Sequence, residues 1–377
     1  MLYITFNDAP SGIYFSQVTD VCKYLRDELH IPNINLIAFI SIRSFSSNRA
    51  QIKAAFPKAI VIPLVPKMKF WKANWCSLFF LALILRQNRV IARGPYATWL
   101  ALSMKRLRLF KYVIFDARGA YYAELNEYNV IEEQSVKSGI RNLESSLLIK
   151  ADFRLAVSKK LVNYWEREYG YSSDAHAVIP CTLGSGFNKE MPDSEKRFLA
   201  KSELGFRPDD VLMVYSGSSA GWQSFRLVND FLNNALGMNA HLKVLFLAKE
   251  LPSGMDVFRD FPGRIVQKWV SPALVRELLC ACDYGLVIRE DSVTNEVASP
   301  VKFAEYLSCG LRILISNHIG DFTEFVRNNN CGQVIGDVMA PIVLKPVSPG
   351  EKERLNGLAL QYFAKSSCKL SYQKLVA

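Results

Sequence analysis

Short apolar runs alternate along the chain with stretches of helical character. Leu2–Phe6, Asn35–Ile40, Ala59–Val65, Arg89–Ala92, Tyr112–Phe115, Phe153–Val157 and Ala177–Ile179 read as strands, with helices such as Ser16–Leu29 and the polar Asn129–Lys150 between them. That alternation predicts a doubly wound α/β sheet. Pro180, Gly184, Gly186, Pro192 and Pro208 then break the regularity, which places a hinge over Cys181–Pro208 that still carries a short helix, Ser194–Leu204. A second alternation starts at Val211–Tyr215 and runs through the helix Phe225–Leu236 to strands at Lys243–Ala248, Ile265–Trp269, Tyr284–Arg289 and Leu311–Ser316. Ser348-Pro349-Gly350-Glu351 is a capping box that opens the last helical segment. The expected fold class is α/β, with two Rossmann-like doubly wound domains. The first covers residues 1–181, a linker 182–208, the second domain 209–348 and C-terminal helices 349–377.

The most informative stretch runs from Asp283 to Ile319. Its order is strand, polar loop (Asp291–Ala298), helix, strand, the crossover that lays two parallel strands in one sheet. Ser299 offers an N-cap oxygen, Pro300 sits where its missing N–H costs nothing, and Gly310 follows the last turn where a left-handed cap is wanted. Ligands of such sheets lie outside the carboxyl ends of the strands, so Arg289, the loop and the helix start share one crevice. Free N–H groups and the positive dipole end at that start suit a phosphate or diphosphate, and Arg289 and Lys302 add charge. His318-Ile319-Gly320-Asp321 begins the next helix close to the same crevice. The loop after Val211–Tyr215, with Gly217 and Ser218 near its start, is small and flexible enough to offer further backbone N–H groups. Trp269, at a strand end, is either a stacking surface for a nucleobase or core, and strand-end tryptophans are more often core.

The first half has its own strand ends. Gly12 lies in the turn-rich loop Asn7–Gly12, where a glycine lets backbone approach a ligand closely. No G-x-G-x-x-G follows the strand before it, which argues against a nicotinamide enzyme. Arg93-Gly94 and Asp116-Ala117-Arg118-Gly119 each follow a strand, so both Arg-Gly pairs should face one crevice. Asp116 pairing with Arg118 merely to shape the turn is the structural alternative.

Charge changes the picture of a plain globular chain. Half the residues are hydrophobic and 21% charged, which excludes a disordered protein. Eight scattered cysteines without C-x-x-C or zinc spacing suit reduced thiols in a cytosolic compartment. The N-terminus lacks a signal-peptide layout, and the longest apolar run, Trp75–Leu85, is too short to span a bilayer, so a soluble or peripheral protein is expected. Between Leu29 and Phe115, however, fourteen Lys or Arg stand without one Asp or Glu, leaving 32 basic against 35 acidic residues elsewhere. The net charge of +11 arises in that segment. A field of this kind attracts anionic lipid, nucleic acid or a phosphorylated substrate, and an anionic membrane surface is the expected partner.

The run VASPVKFAEYLSCGLRILIS resembles the donor-sugar-binding segment of GT-B glycosyltransferases, specifically the retaining family-4-like bacterial enzymes with an S-P-x-K-x-x-E-Y-L-x-x-G pattern. The resemblance implies two domains facing a cleft, with Glu305 on the ribose hydroxyls of a sugar nucleotide and the Ser299 helix start on its diphosphate. The family's usual glutamate pair, E-x7-E, counted back from Glu305 lands on Val297; Glu296 lies one residue earlier. Glu296, Glu290 and Asp291 are therefore all candidates for the second acid. Asp116–Gly119 resembles the family's D-x-R-G segment, followed by an acidic helix with Glu124 and Glu127, and LAVSKKLVNYW resembles a strand late in its first domain. This makes Arg118 and Gly119 acceptor-side or cleft residues. The Ser216–Gln223 loop would lie over the donor but lacks the family's Arg and Lys, unless Arg226 substitutes. By the same resemblance, the C-terminal helices cross back to the first domain.

The activity implied by the resemblance, with the basic first domain, is transfer of a sugar from a nucleotide-sugar donor to a saccharide or lipid-diphosphate-linked acceptor, with retention. Its expected setting is bacterial surface polysaccharide biosynthesis at the cytoplasmic membrane face. Arg289, Lys302 and Arg118 are the candidate catalytic residues; Glu305, Ser299, Glu296, Ser218, Gly217 and Trp269 the donor set; Gly12, Gly119 and Arg93 the acceptor side. No D-x-D motif lies in a strand-end loop, so neither metal nor cofactor is expected beyond the nucleotide-sugar substrate. A sugar-nucleotide epimerase or hydrolase of the same fold is the nearest alternative. Nucleic-acid binding is disfavoured, because the cations spread over several strands and helices without a recognised motif. Base, sugar and oligomeric state are left open.

Overall fold

The computed structural model describes residues 1–66, 68–128, 134–217, 223–251 and 254–376. The chain divides into two compact units, Met1–Gly184 with Cys368–Ala377, and Ser185–Ser367. In the first, strands β1 (Leu2–Phe6), β2 (Asn35–Ile40), β3 (Ile60–Pro63), β4 (Arg89–Arg93), β5 (Tyr112–Asp116), β6 (Phe153–Ala156) and β7 (His176–Val178) form a parallel sheet of order β3-β2-β1-β4-β5-β6-β7. In the second, β8 (Val211–Ser216), β9 (Leu242–Leu247), β10 (Ile265–Lys268), β11 (Tyr284–Val287), β12 (Arg312–Ser316) and β13 (Gly332–Ile335) are also parallel, in the order β10-β9-β8-β11-β12-β13. Both sheets reverse their strand order once, between β1 and β4 and between β8 and β11. A crevice opens at each such switch point.

The strands are apolar throughout because helices cover both faces of a parallel sheet. Every residue of β1, β8 and β11 is buried. Each fully buried Leu or Ile contributes about 1.5–3 kcal/mol. Asp283, just before β11, is a buried charge that ties strands together: its carboxylate accepts the N–H groups of Leu212 (2.9 Å) and Val347 (3.0 Å), which fixes β11 beside β8.

Strand positions match the apolar pattern to within two residues at each end. β13 is absent from that pattern; its glycine, solvent-touched edge and four-residue length hide it. Helix ends differ more. The Asp291–Ala298 segment holds a turn of helix, Val293–Glu296, capped by the Ser292 hydroxyl. The next helix runs Val301–Ser308 with Pro300 at the cap, so Ser299 lies one residue outside it. The backbone of Pro300 is extended at ψ 120°, which makes it the residue before the first turn. Gly310 does adopt the left-handed conformation (φ +74°). Leu311 N–H bonds Tyr306 C=O (3.1 Å) and Gly310 N–H bonds Leu307 C=O (2.9 Å), the paired closure of a Schellman end.

Two further segments bear on function. Pro349–Phe363 starts at Ser348, whose hydroxyl accepts the Glu351 N–H (3.3 Å), and packs within the second unit against Phe303 and Phe322. Only Cys368 onward joins the first unit, through Tyr372 on Tyr24 and the Leu375 carbonyl on Arg89. Met68–Asn74 leads directly into the helix Trp75–Leu85. The combined 18 residues are long and apolar enough to cross a membrane by length and composition, and 17% of them are buried. The apolar run counted alone misses this, since the 3-10 turns of Met68–Asn74, interrupted at Phe70, precede its helix and add their length.

Candidate functional site

The second unit places Arg289, Lys302, Glu305 and Gly217 around the β8/β11 switch point. Val287 ends β11 and stands level with Ile315 of β12, so Arg289 and Ser316 emerge side by side. The Arg289 N–H donates to the Ser316 hydroxyl (2.9 Å), and its guanidinium donates to Asn295 Oδ1 (3.3 Å). Asn295 is fully buried, and its amide also donates to the Glu290 carbonyl (3.1 Å), while its own backbone carbonyl accepts Gly320 N–H (3.1 Å). One buried residue thereby sets the Arg289 side chain, the Glu290 turn and the Gly320 loop.

From the start of the Val301–Ser308 helix, Lys302 reaches one turn forward to Glu305, with ammonium and carboxylate 2.6 Å apart. The Glu305 side chain is 7% exposed and that of Lys302 33%, so the carboxylate is held inside and the cation faces out. Tyr306, the next residue, is fully buried; burial pushes its phenol pKa well up, so it stays a hydroxyl able to accept and donate. It accepts the Ser216 N–H at 2.8 Å, at the end of β8 and directly before Gly217. The ring lies on the β11 backbone so closely that a Cβ at Gly285 would come within 2.3 Å of it. Only glycine at that position lets the helix settle onto the sheet at this depth.

Glu296 is the last residue of the Val293–Glu296 turn, and Ser299 sits in the link to the next helix; both are partly exposed. Glu290 and Asp291 are exposed beside them. Gly217 follows β8 and is partly exposed, whereas Ser218 lies outside the described residues. Trp269 follows β10, the edge strand of the sheet, and is 68% exposed, against the expectation that a strand-end tryptophan is core. β10 is flanked by β9 alone among the described strands.

The first unit has its own polar cluster at the β1/β4 switch point. Asp116, 2% exposed at the end of β5, accepts the Tyr3 hydroxyl (2.6 Å) and lies 3.5 Å from the Arg93 and 3.4 Å from the Arg118 guanidinium. Arg93 also donates to Asp8 (3.2 Å) in the loop after β1. Arg118 donates to Cys181 Sγ (3.0 Å) and Gln17 Oε1 (3.5 Å), and the Gln17 amide donates to the Thr182 carbonyl (2.7 Å). Asp116 therefore contacts two arginines from two strand ends, with Asp8 supplying the second negative charge, which is more than a pair that shapes one turn. Gly12, first residue of the next short helix, has open space around it, as does Gly119.

Sequence reasoning missed Tyr306, Asn295, Tyr3, Asp8 and Gln17. Tyr306 stands in the E-Y-L pattern; the other four carry no local signal, because each acts on a partner brought near only by folding.

No family model and no curated protein matches the sequence. Solved structures do match the fold. A glycosyltransferase from Rickettsia africae superposes with a TM-score of 0.71 at 13% identity, covering 100% of this chain and 98% of that one. HepE of Anabaena, in complex with UDP and glucose, gives 0.65 at 13% identity over 99% and 90%. The chain has the GT-B glycosyltransferase fold. WaaG, a glycosyltransferase involved in lipopolysaccharide biosynthesis, gives 0.61 at 12% identity over 99% and 93%. Their sequences share too little with this chain to carry more than the fold.

Proposed function

We propose that the protein is a retaining, family-4-like glycosyltransferase that moves a sugar from a nucleotide-sugar donor to a saccharide or lipid-linked acceptor in bacterial surface polysaccharide assembly, at the cytoplasmic face of an anionic membrane. The observation that carries this reading is the buried Glu305 carboxylate, paired with Lys302 in the Val301–Ser308 helix that follows the Arg289 loop, at the switch point of a sheet in the GT-B fold. In it, Glu305 accepts the ribose hydroxyls, and Lys302 and Arg289 neutralise the diphosphate. Positive charge held in place before the reaction stabilises the departing nucleoside diphosphate without reorganisation. Asn295 and Tyr306 are positioning residues, the first for Arg289 and the second for the β8 loop. Arg93 and Arg118, paired with Asp8 and Asp116, serve the acceptor side. The reading assigns no metal and no cofactor beyond the donor.

Calorimetry with UDP-sugars and other nucleotide sugars tests it. One donor class should bind, and Glu305→Ala should weaken that binding about tenfold or more, the loss of a charged hydrogen-bonding partner. Unchanged donor affinity in the variant overturns the ribose assignment. Turnover of the nucleotide sugar with no acceptor present replaces transfer with epimerisation or hydrolysis.

A further inference from the structure

The first unit carries a cavity of about 730 Å³, within the roughly 300–1,000 Å³ of small-ligand sites, between the basic segment and the helix ending at Lys150. Trp71 and Trp99 line it together with Lys69, Lys72, Arg106 and Lys150, and no Asp or Glu is among the described lining residues. The two indoles meet edge to face at 5.0 Å, and the Lys72 ammonium lies 5.7 and 5.4 Å from their centroids. Trp71 also meets Tyr96 (4.9 Å) and Phe6, the last residue of β1 (6.4 Å). The cavity thus adjoins the carboxyl end of β1, where ligands of such sheets lie.

Shortly after Trp71 comes the helix Trp75–Leu85, without a charge in eleven residues. A helix apolar on all sides is ordinarily buried or faces lipid. This one buries Leu78 and Ala82, while Phe80 is 62%, Leu83 44% and Ile84 74% exposed. Exposed Lys69 and Lys72 precede it, and exposed Arg86 follows it. A second copy of the chain is a poor cover for that face. Self-pairing would set these cations against one another, and the segment from Leu29 to Phe115 holds no carboxylate to offset them. An anionic bilayer supplies both the countercharge and the apolar phase.

We propose that the first unit docks on an anionic bilayer by laying the exposed face of Trp75–Leu85 among the lipid head groups, and that the adjoining cavity takes a phosphate-bearing lipid head group. The phosphate falls to Lys69, Lys72 and Arg106, and the group attached to it stacks on Trp71 and Trp99. This deepens the membrane part of the proposed function and rests on it there alone; lipid binding is measured without donor, so either reading can fail while the other stands.

The test is flotation of the full chain with vesicles of phosphatidylcholine alone or half phosphatidylglycerol. The chain should float with the anionic vesicles only, and raised NaCl should weaken the binding, because exposed charges are screened. Phe80→Asp with Ile84→Asp should lower partitioning at least about tenfold, since two apolar side chains leave the acyl boundary. Val343→Asp, at an equally exposed apolar site of the second unit, should leave it unchanged, with melting temperatures of all variants alike. Lys69→Gln with Lys72→Gln should weaken binding and flatten its salt dependence. Equal flotation with neutral vesicles, or indifference to the helix substitutions, overturns the proposal. So does a dimer in solution that these substitutions dissolve, or binding of inorganic phosphate without any vesicle binding.

Discussion

Removing one oxygen from Tyr306 should loosen the end of β8 and, through it, the loop that begins at Gly217. In Tyr306→Phe the ring keeps its place on Gly285, because its volume and packing are unchanged. What disappears is the acceptor 2.8 Å from the Ser216 N–H, a buried group 90 residues away in sequence. A buried donor left without a partner costs about 1–3 kcal/mol. The hydroxyl's longer contact with the Ser216 carbonyl, at 3.5 Å, adds little to that. The same free energy appears as a roughly 5- to 150-fold faster opening of the Ser216 amide. Hydrogen exchange followed by mass spectrometry on peptides spanning β8 reads that rate directly, and β9 and β12 peptides serve as internal references. Donor affinity, measured in parallel by calorimetry, should fall while the melting temperature changes by only a few degrees. If the β8 peptide exchanges at the parent rate and donor affinity is intact, Tyr306 is core packing and nothing more.

The polar cluster of the first unit supplies a second prediction. Asp116→Asn removes the buried carboxylate that Arg93 and Arg118 share, leaving Arg93 with Asp8 and Arg118 without a carboxylate, and should cost about 3–5 kcal/mol in urea unfolding followed by tryptophan fluorescence; a loss below about 1 kcal/mol would mean that Asp8 and Cys181 suffice. Lys302→Met leaves the Glu305 carboxylate buried and unpaired and removes the cation proposed to face the diphosphate, so nucleotide-sugar affinity should drop about tenfold by calorimetry, and parent-like affinity refutes the role. Glu351 gives a pH prediction. Its hydrogen bonds with Arg354, aided by Arg312, hold its carboxyl below the usual value. The stabilisation is therefore complete above the unfolded-state pKa and is lost as pH falls through the lower folded value. Glu351→Gln should cost about 0.5–1 kcal/mol at neutral pH and flatten the acid limb of the urea midpoint, an outcome that a merely bystander carboxylate would not produce.

Composition and local order sufficed for what depends on neighbours in the chain. Unbroken apolar runs marked twelve strands to within two residues, because covering both faces of a parallel sheet leaves no polar alternation to misread. The Gly310 end and the Ser348 cap were legible for the same reason: each is closed by residues three to five positions away. The segregation of charge between Leu29 and Phe115 was a count, needing no coordinates. Tertiary structure decided everything that depends on which strands become neighbours. Strand order placed Arg289 beside Ser316, brought Arg93 and Arg118 to one carboxylate, and left Trp269 exposed past an edge strand. It also decided that the apolar Trp75–Leu85 helix, packed beside the Gly94–Arg106 helix, would bury Leu78 and Ala82 and leave Phe80, Leu83 and Ile84 exposed. Tyr306 shows the division most plainly. Its place in a helix follows from the residues around it, whereas its bond to Ser216 exists because β11 lies beside β8, and no periodicity in the sequence reports that adjacency.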